Sequence, residues 1–297
     1  MTMKKFLLKT GLFLAFVVVA DLAFNKAMSW IAPRVKGGEY GRDNYISNEV
    51  DADLLIFGSS RAECHYNAQM IEDSLGIISY NCGQTGHSVF LNYARLLMIK
   101  ERHHPKIIIY DIAAGFDLLT DNDNYKDMSF LKLHYDRDGI SDIICDIAPL
   151  ERYKMLSGMY KYNSNFLQLL LVWLHPVSDA GIKGFRPYKN SNDVWLTPPP
   201  KRTEWEYDSL KISYLNKIIE STRDSKLYFV VSPLWQGMNT EIMKPAKEMC
   251  AKYNISFIDF SNDPKYVENT KLFKDYAHLN ATGADEFTKD LIHELKK

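Results

Sequence analysis

The sequence carries no surplus of either charge. Its 36 Lys and Arg stand against 37 Asp and Glu, a net charge of −1. Without a basic excess there is nothing to neutralise a run of phosphates, which argues against nucleic acid as a partner. Cysteine is scarce: Cys64, Cys82, Cys145 and Cys250 are the only four in 297 residues. None has CxxC spacing, which argues against a structural zinc site. Four scattered cysteines in a chain of this length do not form a disulfide framework either. Cys64 and Cys82 lie near two of the motifs below and could be neighbours. No metal-ligand cluster, phosphate-binding loop or internal repeat is found. What remains is ordinary globular composition, 46% hydrophobic and 25% charged, in a length that suits one large domain or two small ones. Aromatic content is 13%, and many of the 18 tyrosines fall between Tyr125 and Tyr214. Ordinary packing accounts for them, and a groove for sugars or other flat polar ligands is the alternative.

The amino terminus, MTMKKFLLKTGLFLAFVVVADLAF, places Lys4, Lys5 and Lys9 before an apolar run from Gly11 to Phe24. A basic segment followed by an apolar one is an export signal. Counted from Phe6 it has about the ~20 residues that cross a bilayer as a helix. No clean small-x-small cleavage site follows, so an uncleaved signal anchor over residues 1–30 is favoured over a cleaved signal peptide or the buried helix of a soluble protein. The lysines should stay cytoplasmic. The expected location is the inner membrane, single-pass, with residues 31–297 in the periplasm or at the outer surface. Trp30 to Val50, with Gly37, Gly38 and Gly41, reads as a polar linker.

Next comes an alternation of strands and helices. ADLLIFG, IISYNCG, KIIIYDIAA, KLYFVVSP and ISFIDFS are short apolar runs. Between and after them, segments such as NAQMIEDSLG, SVFLNYARLLMIKERHH, DSLKISYLNKIIESTRDS, NTEIMKPAKEMCAKYN and ATGADEFTKDLIHELKK have helical spacing. KIIIYDIAA is apolar throughout, as in a strand covered on both faces. The pattern predicts a three-layer α/β/α fold around a mostly parallel five-stranded sheet. The rhythm breaks over about residues 116–205. A structureless loop of that length is implausible in a compact domain, so this stretch, including TPPP at Thr197–Pro200, is expected to be an inserted helical cap. Its apolar run Phe166–Leu174 is too short to span a membrane. It reads as cap core or as a surface that touches the bilayer.

Ligands of open α/β sheets bind at the carboxyl ends of strands, and three stretches end there. In FGSSRA a serine follows a glycine on a strand-to-helix turn, where its hydroxyl and N–H face the same space. Serine is also a common turn and N-cap residue. In YNCGQTGHSV two glycines let backbone N–H groups approach a ligand. In FKDYAHLNATGA, Asp275 and His278 stand three apart before a helix start at Asn280 or Thr282. One loop can thus present an imidazole with the carboxylate that orients it. A serine hydroxyl becomes a useful nucleophile when such a base takes its proton.

Together these three blocks resemble the SGNH/GDSL hydrolases over about residues 51–117 and 205–297. The resemblance implies Ser60, rather than Ser59, as nucleophile in the Gly58-Ser59-Ser60 turn, with Asp275 and His278 completing a triad. It implies the N–H groups of Ser60 and Gly86, the latter in the Asn81–Gly86 turn, as oxyanion donors. No cofactor is required. One departure is plain: after the third strand the family carries Gly-x-Asn-Asp, whose asparagine donates to the oxyanion, whereas this chain reads DIAAGFD with Gly115 near that position. Arg61 or Asn163 could replace the missing donor. Arg61 could equally hold a substrate carboxylate or phosphate, or pair structurally with a carboxylate such as Asp111. His87 could line the pocket. His103 and His104 sit at a helix end, where they can cap carbonyls. Membrane-tethered members of this type act on acylated carbohydrate at the cell surface, so an ester hydrolase or acyltransferase is expected. The alternatives are a catalytically degenerate protein that binds or assembles polysaccharide, and a lipase working at the bilayer.

Overall fold

The computed structural model describes residues 2–178, 181–190 and 203–297. The Thr197–Pro200 run of the expected cap lies outside them. The chain divides into two compact units. One consists of Met1–Tyr45 and Met128–Asp179, the other of Ile46–Asp127 and Ala180–Lys297.

The first unit opens with helix α1, Met3–Ile31, whose sequence reaches a mean hydropathy of 2.0 and whose residues up to Val19 are exposed. It is long and apolar enough to cross a membrane. Trp30 to Val50 is not the linker that its glycines suggested. After a short turn at Ala32–Arg34, residues Gly38–Asn48 form a helix. Gly37 and Gly38 supply the left-handed turn before it, with φ of 81° and 60°. Its buried face is largely polar, including Tyr40, Arg42, Asp43 and Ser47, so no apolar stripe betrays it.

The second unit holds the sheet. The strands are β1 (Leu54–Gly58), β2 (Ser79–Asn81), β3 (Ile107–Asp111), β4 (Lys226–Val231) and β5 (Ser256–Asp259). All pair in parallel, in the order β2-β1-β3-β4-β5. Leu54, Leu55, Ile56 and Phe57 are fully buried, as both-faces-covered strands require. Among the described residues, six helices flank the sheet. Helices α2 (Ser60–His65), α3 (Ala68–Leu75) and the last helix pack together on one side; α4 (Val89–Lys100) packs on the other side with the helix Ser209–Ser221, which in turn meets Lys244–Tyr253. This is the three-layer α/β/α fold that the alternation of strands and helices predicts. In the first unit, Gly158–Tyr162 and Phe166–Leu174 are helices α5 and α6. The remaining sheet helices are therefore α7 (Ser209–Ser221), α8 (Lys244–Tyr253) and α9 (Ala281–Leu295). Tyr66, Phe260 and Phe287 stack edge to face under α9, with centroids 5.0 and 5.2 Å apart. Phe90 meets Tyr214 at 4.9 Å between α4 and α7.

The chain reverses direction across the sheet between β2 and β3. The carboxyl ends of β1 and β3 therefore flank the switch point at which open α/β sheets bind ligands.

Candidate active site

Strand β1 ends at Gly58 with φ of 141°. A Cβ there would lie 2.7 Å from the Asp111 carbonyl and 2.9 Å from the Ala62 side chain. Only glycine fits this turn. The chain then enters α2 directly, so Ser60 stands at its first turn, at the carboxyl rim.

The Asp275–His278 loop reaches the same rim just before α9. Asn280 caps that helix by accepting from the Gly283 N–H at 3.0 Å. The Asp275 carboxylate accepts from the Ala277 and His278 N–H groups, each at 2.9 Å. Those bonds fold the loop so that His278 Nδ1 lies 2.9 Å from both carboxylate oxygens. Nδ1 therefore carries the hydrogen, and Nε2 turns its lone pair to the Ser60 hydroxyl at 2.7 Å. Residues 218 positions apart in the chain are thus in hydrogen-bond contact. Burial alone raises the Asp275 carboxyl, but the hydrogen bond and charge of His278, with the two N–H donors, outweigh it and hold the group below its ordinary value.

Of the predicted donors, Gly86 has φ of 79° within a turn that the His87 N–H closes onto the Gln84 carbonyl at 3.2 Å. Among the described residues, neither the Ser60 N–H nor the Gly86 N–H is donated to a protein acceptor. The position after β3 holds no amide. Asp117 instead turns inward, accepting from the Tyr110 hydroxyl and the Ala113 N–H, each at 2.8 Å. Burial raises its carboxyl to about 7.

The other sequence candidates are engaged elsewhere. Arg61 is buried; its guanidinium donates to the Ile112 carbonyl and its Nε lies 3.4 Å from Asp111. That is the structural pairing, the last of the three roles open to it. His87 Nδ1 faces Asp127 at 3.0 Å, and the same carboxylate takes the Ser88 and Leu91 N–H groups at the start of α4. The Gly115 carbonyl accepts from Asn122 at 2.9 Å and from Lys211 at 3.3 Å. Asn163 is exposed and belongs to the other compact unit. His103 faces the Ala52 carbonyl and His104 pairs with Asp224 at 2.6 Å. All four cysteines are free, Cys64 and Cys82 both buried.

Three residues at the rim escaped the sequence reading. His65 is fully buried behind the His278 ring, centroids 6.2 Å apart. Its Nε2 accepts from the Leu279 N–H at 2.9 Å, so its hydrogen sits on Nδ1, toward the Ser232 hydroxyl at 3.1 Å. Burial first, then the charges of His278 and Arg61, push its pKa well below 6.5. It stays neutral and holds the backbone next to His278. Glu63 accepts from the Thr85 N–H at 2.8 Å and pairs with Arg186 at 3.0 Å. It thus fixes the turn that presents Gly86. Tyr188 covers the outer face of His278, centroids 5.3 Å apart. Burial, then the neighbouring Cys64, Asp275 and Glu63, raise its phenol to about 12, so it remains protonated. The signal for the first two was faint: polar residues in RAECH directly after a strand buried on both faces.

A separate cavity of about 450 Å³, lined by Thr222, Arg223, Lys226, Tyr253 and Ser256 among others, opens at the amino ends of β4 and β5. That is the opposite edge from Ser60.

No protein-family model and no curated protein matches the sequence. Among solved structures it is similar to a provisionally assigned acylhydrolase from Bacteroides fragilis, at 11% identity and a TM-score of 0.42, over 86% of this chain and 96% of that one. A GDSL-like lipase from Bacteroides thetaiotaomicron matches at 10% and 0.37, over 82% and 88%. An acetyl xylan esterase from the rumen bacterium Butyrivibrio proteoclasticus matches at 11% and 0.37, over 82% of this chain and 62% of that one.

Proposed function

We propose that the chain is a serine esterase or O-acyltransferase of the SGNH type, acting on acyl esters of cell-surface glycans. In this reading the Ser60 oxygen attacks the ester carbonyl while His278 Nε2 takes the hydroxyl proton. The C–O bond to the leaving alcohol breaks as the imidazolium returns that proton to it. A water, or an acceptor hydroxyl in the transferase direction, then attacks the acyl-serine by the same proton route and frees Ser60. Asp275 keeps the imidazole in the tautomer this needs and stabilises its charged form. The unengaged N–H groups of Ser60 and Gly86 hold the oxyanion. Helix α1 anchors the chain in the inner membrane, with its amino terminus in the cytoplasm and the Ser60 site outside.

One observation carries this reading: the continuous hydrogen-bonded path from the Ser60 hydroxyl through His278 to Asp275, at 2.7 and 2.9 Å. The test is covalent labelling of the full-length protein by a fluorophosphonate. Labelling is expected in the wild type and absent in Ser60→Ala. Labelling that persists in Ser60→Ala would remove the nucleophile assignment. Release of acetate from O-acetylated polysaccharide, and turnover of short against long p-nitrophenyl esters, then separate a glycan esterase from a lipase.

A second reading is a degenerate member that binds or assembles surface polysaccharide without cleaving it. It is favoured by the region after β3, where Asp117 faces inward and no amide replaces the family's asparagine. Retained polysaccharide binding with no labelling and no ester turnover would establish it.

A further inference from the structure

Helix α6 has the sequence FLQLLLVWL, in which Gln168 is the one polar residue. Only Leu169 is buried. Leu167, Leu171 and Leu174 are 57%, 51% and 54% exposed, and Leu156, just before α5, is 82% exposed. A helix on a water-facing surface turns polar side chains outward. α6 has almost none to turn.

Its placement in the first unit says what covers it. Phe24 of α1 meets Phe166 edge to face at 5.9 Å, and Trp30 meets Trp173 at 5.7 Å. The two contacts occur in the same order along both helices, so α6 runs beside the last turns of α1 in the same direction. Gly158 makes the approach of α5 close, since a Cβ there would fall 2.2 Å from the Asn25 Cβ. Asp21, the only acidic residue of α1, accepts from the Ser157 hydroxyl at 2.8 Å and from the Gly158 and Met159 N–H groups at 2.9 and 2.7 Å. A carboxylate that would be costly in hydrocarbon is thereby satisfied by protein. The free apolar length of α1 ends at Val19, and packing begins at Ala20. A hydrocarbon core of about 30 Å entered at Phe6 extends for about 20 helical residues, to the level of Phe24. That is where α6 begins. Trp30 and Trp173, with the Arg34 guanidinium 4.5 Å over the Trp30 ring, then stand at headgroup depth, where tryptophan is enriched.

We propose that the segment Leu156–Leu174 is a second membrane contact, its exposed leucines seated in the interfacial layer where acyl chains meet headgroups, at the boundary from which α1 emerges. This rests on the reading of α1 as a membrane anchor. The exposed apolar side chains of Leu156, Met159 and α6, packed beside the emerging end of α1, select lipid as the occupant.

The experiment is nitroxide labelling of the full-length protein in phosphatidylcholine–phosphatidylglycerol vesicles, on a Cys145→Ala background because the other three cysteines are buried. Labels are placed by Leu171→Cys and, independently, Leu167→Cys, with Leu14→Cys in α1 and Glu248→Cys at an exposed position of α8 as references. The reading is collision with oxygen relative to a water-soluble nickel chelate. That ratio is expected to be severalfold higher at 167 and 171 than at 248, and lower than at position 14, which lies deeper in the bilayer. A water-like ratio at 167 and 171 with a lipid-like ratio at 14 would overturn the second contact and leave the anchor standing. Shielding from both reagents at 167 and 171 would overturn it in favour of a second protein copy. A water-like ratio at 14 would remove the anchor itself, and this inference with it.

Discussion

The sharpest prediction concerns His65→Leu. The substitution removes the acceptor of the buried Leu279 N–H and the partner of the Ser232 hydroxyl. An orphaned buried donor costs about 1–3 kcal/mol, and the Ser232 hydroxyl adds to it, so a loss of about 2–4 kcal/mol is expected near pH 7.5. The pH dependence distinguishes this mechanism from a simple cavity. His65 is neutral when folded, its pKa well below 6.5. Below pH ~6.5 the unfolded chain binds a proton there that the folded one does not, and linkage lowers stability by about 1.4 kcal/mol for each pH unit of descent. Asp117 has the opposite sign. Its folded pKa of about 7 lies above its ordinary 3.8, so the folded state holds the extra proton and gains stability as pH falls. The two trends offset each other in the wild type, and only comparison with the variant isolates His65. The gap between wild type and His65→Leu should therefore narrow by about 1.4 kcal/mol per pH unit from 6.5 toward 5. The assay is urea unfolding of the full-length protein in detergent, followed by intrinsic fluorescence across that range. In parallel, kcat on a short ester should fall by about 10²-fold with KM unchanged, because the backbone beside His278 is loosened. His65→Gln, which can accept and donate in the same directions, should restore part of both. A gap independent of pH would refute a neutral, accepting His65.

Asp275→Asn keeps an acceptor for the two loop N–H groups but cannot hold the Nδ1 hydrogen as a carboxylate does, so kcat on short esters should fall by about 10³–10⁴-fold with little change in the unfolding midpoint. In Gly86→Ala the new Cβ meets nothing within 4 Å; the cost is the left-handed backbone alone, about 1–2 kcal/mol by thermal unfolding, while displacement of the N–H should lower kcat by about 10²–10³-fold. Ser59→Ala is the counterpart of Ser60→Ala: the Ser59 hydroxyl is buried without a partner, so its removal should leave fluorophosphonate labelling intact and stability unchanged or raised by about 1 kcal/mol.

How far the sequence spoke depended on whether a residue's partner was local. Strands β1, β3 and β4 were legible because burial on both faces leaves an unbroken apolar run. The loop at Asp275 and His278 was legible because its carboxylate and imidazole lie three residues apart. The contact of Ser60 with His278 was reachable because each motif by itself points to a strand's carboxyl end. The helix Gly38–Asn48 was not, since periodicity reads apolar stripes and its buried side is polar. Arg61 had three open readings, and the parallel register that sets Gly58 beside Asp111 brings the carboxylate to it. Lys211 lies in a segment whose spacing shows a helix and nothing more. Folded, it is buried and donates to the carbonyls of Gly115, Leu119 and Asn122, a role visible only once residues some 90 positions away are in place.

Helix α2 shows why the polar part of the rim resists prediction by pattern. It has six residues, SRAECH, and every one is buried. So short a helix has too few internal hydrogen bonds to hold itself, and its buried side chains would be costly if unpaired. The polar side chains instead reach out to several different elements. Ser60 meets the loop before α9, Arg61 the end of β3, Glu63 the turn after β2 and the Arg186 segment, and His65 the end of β4 together with Leu279. One and a half turns of helix thus bind the carboxyl ends of the central strands to the loop that carries His278. The charged and polar letters after FGS are the pattern of that convergence, and no periodicity encodes it because each letter answers to a different distant partner.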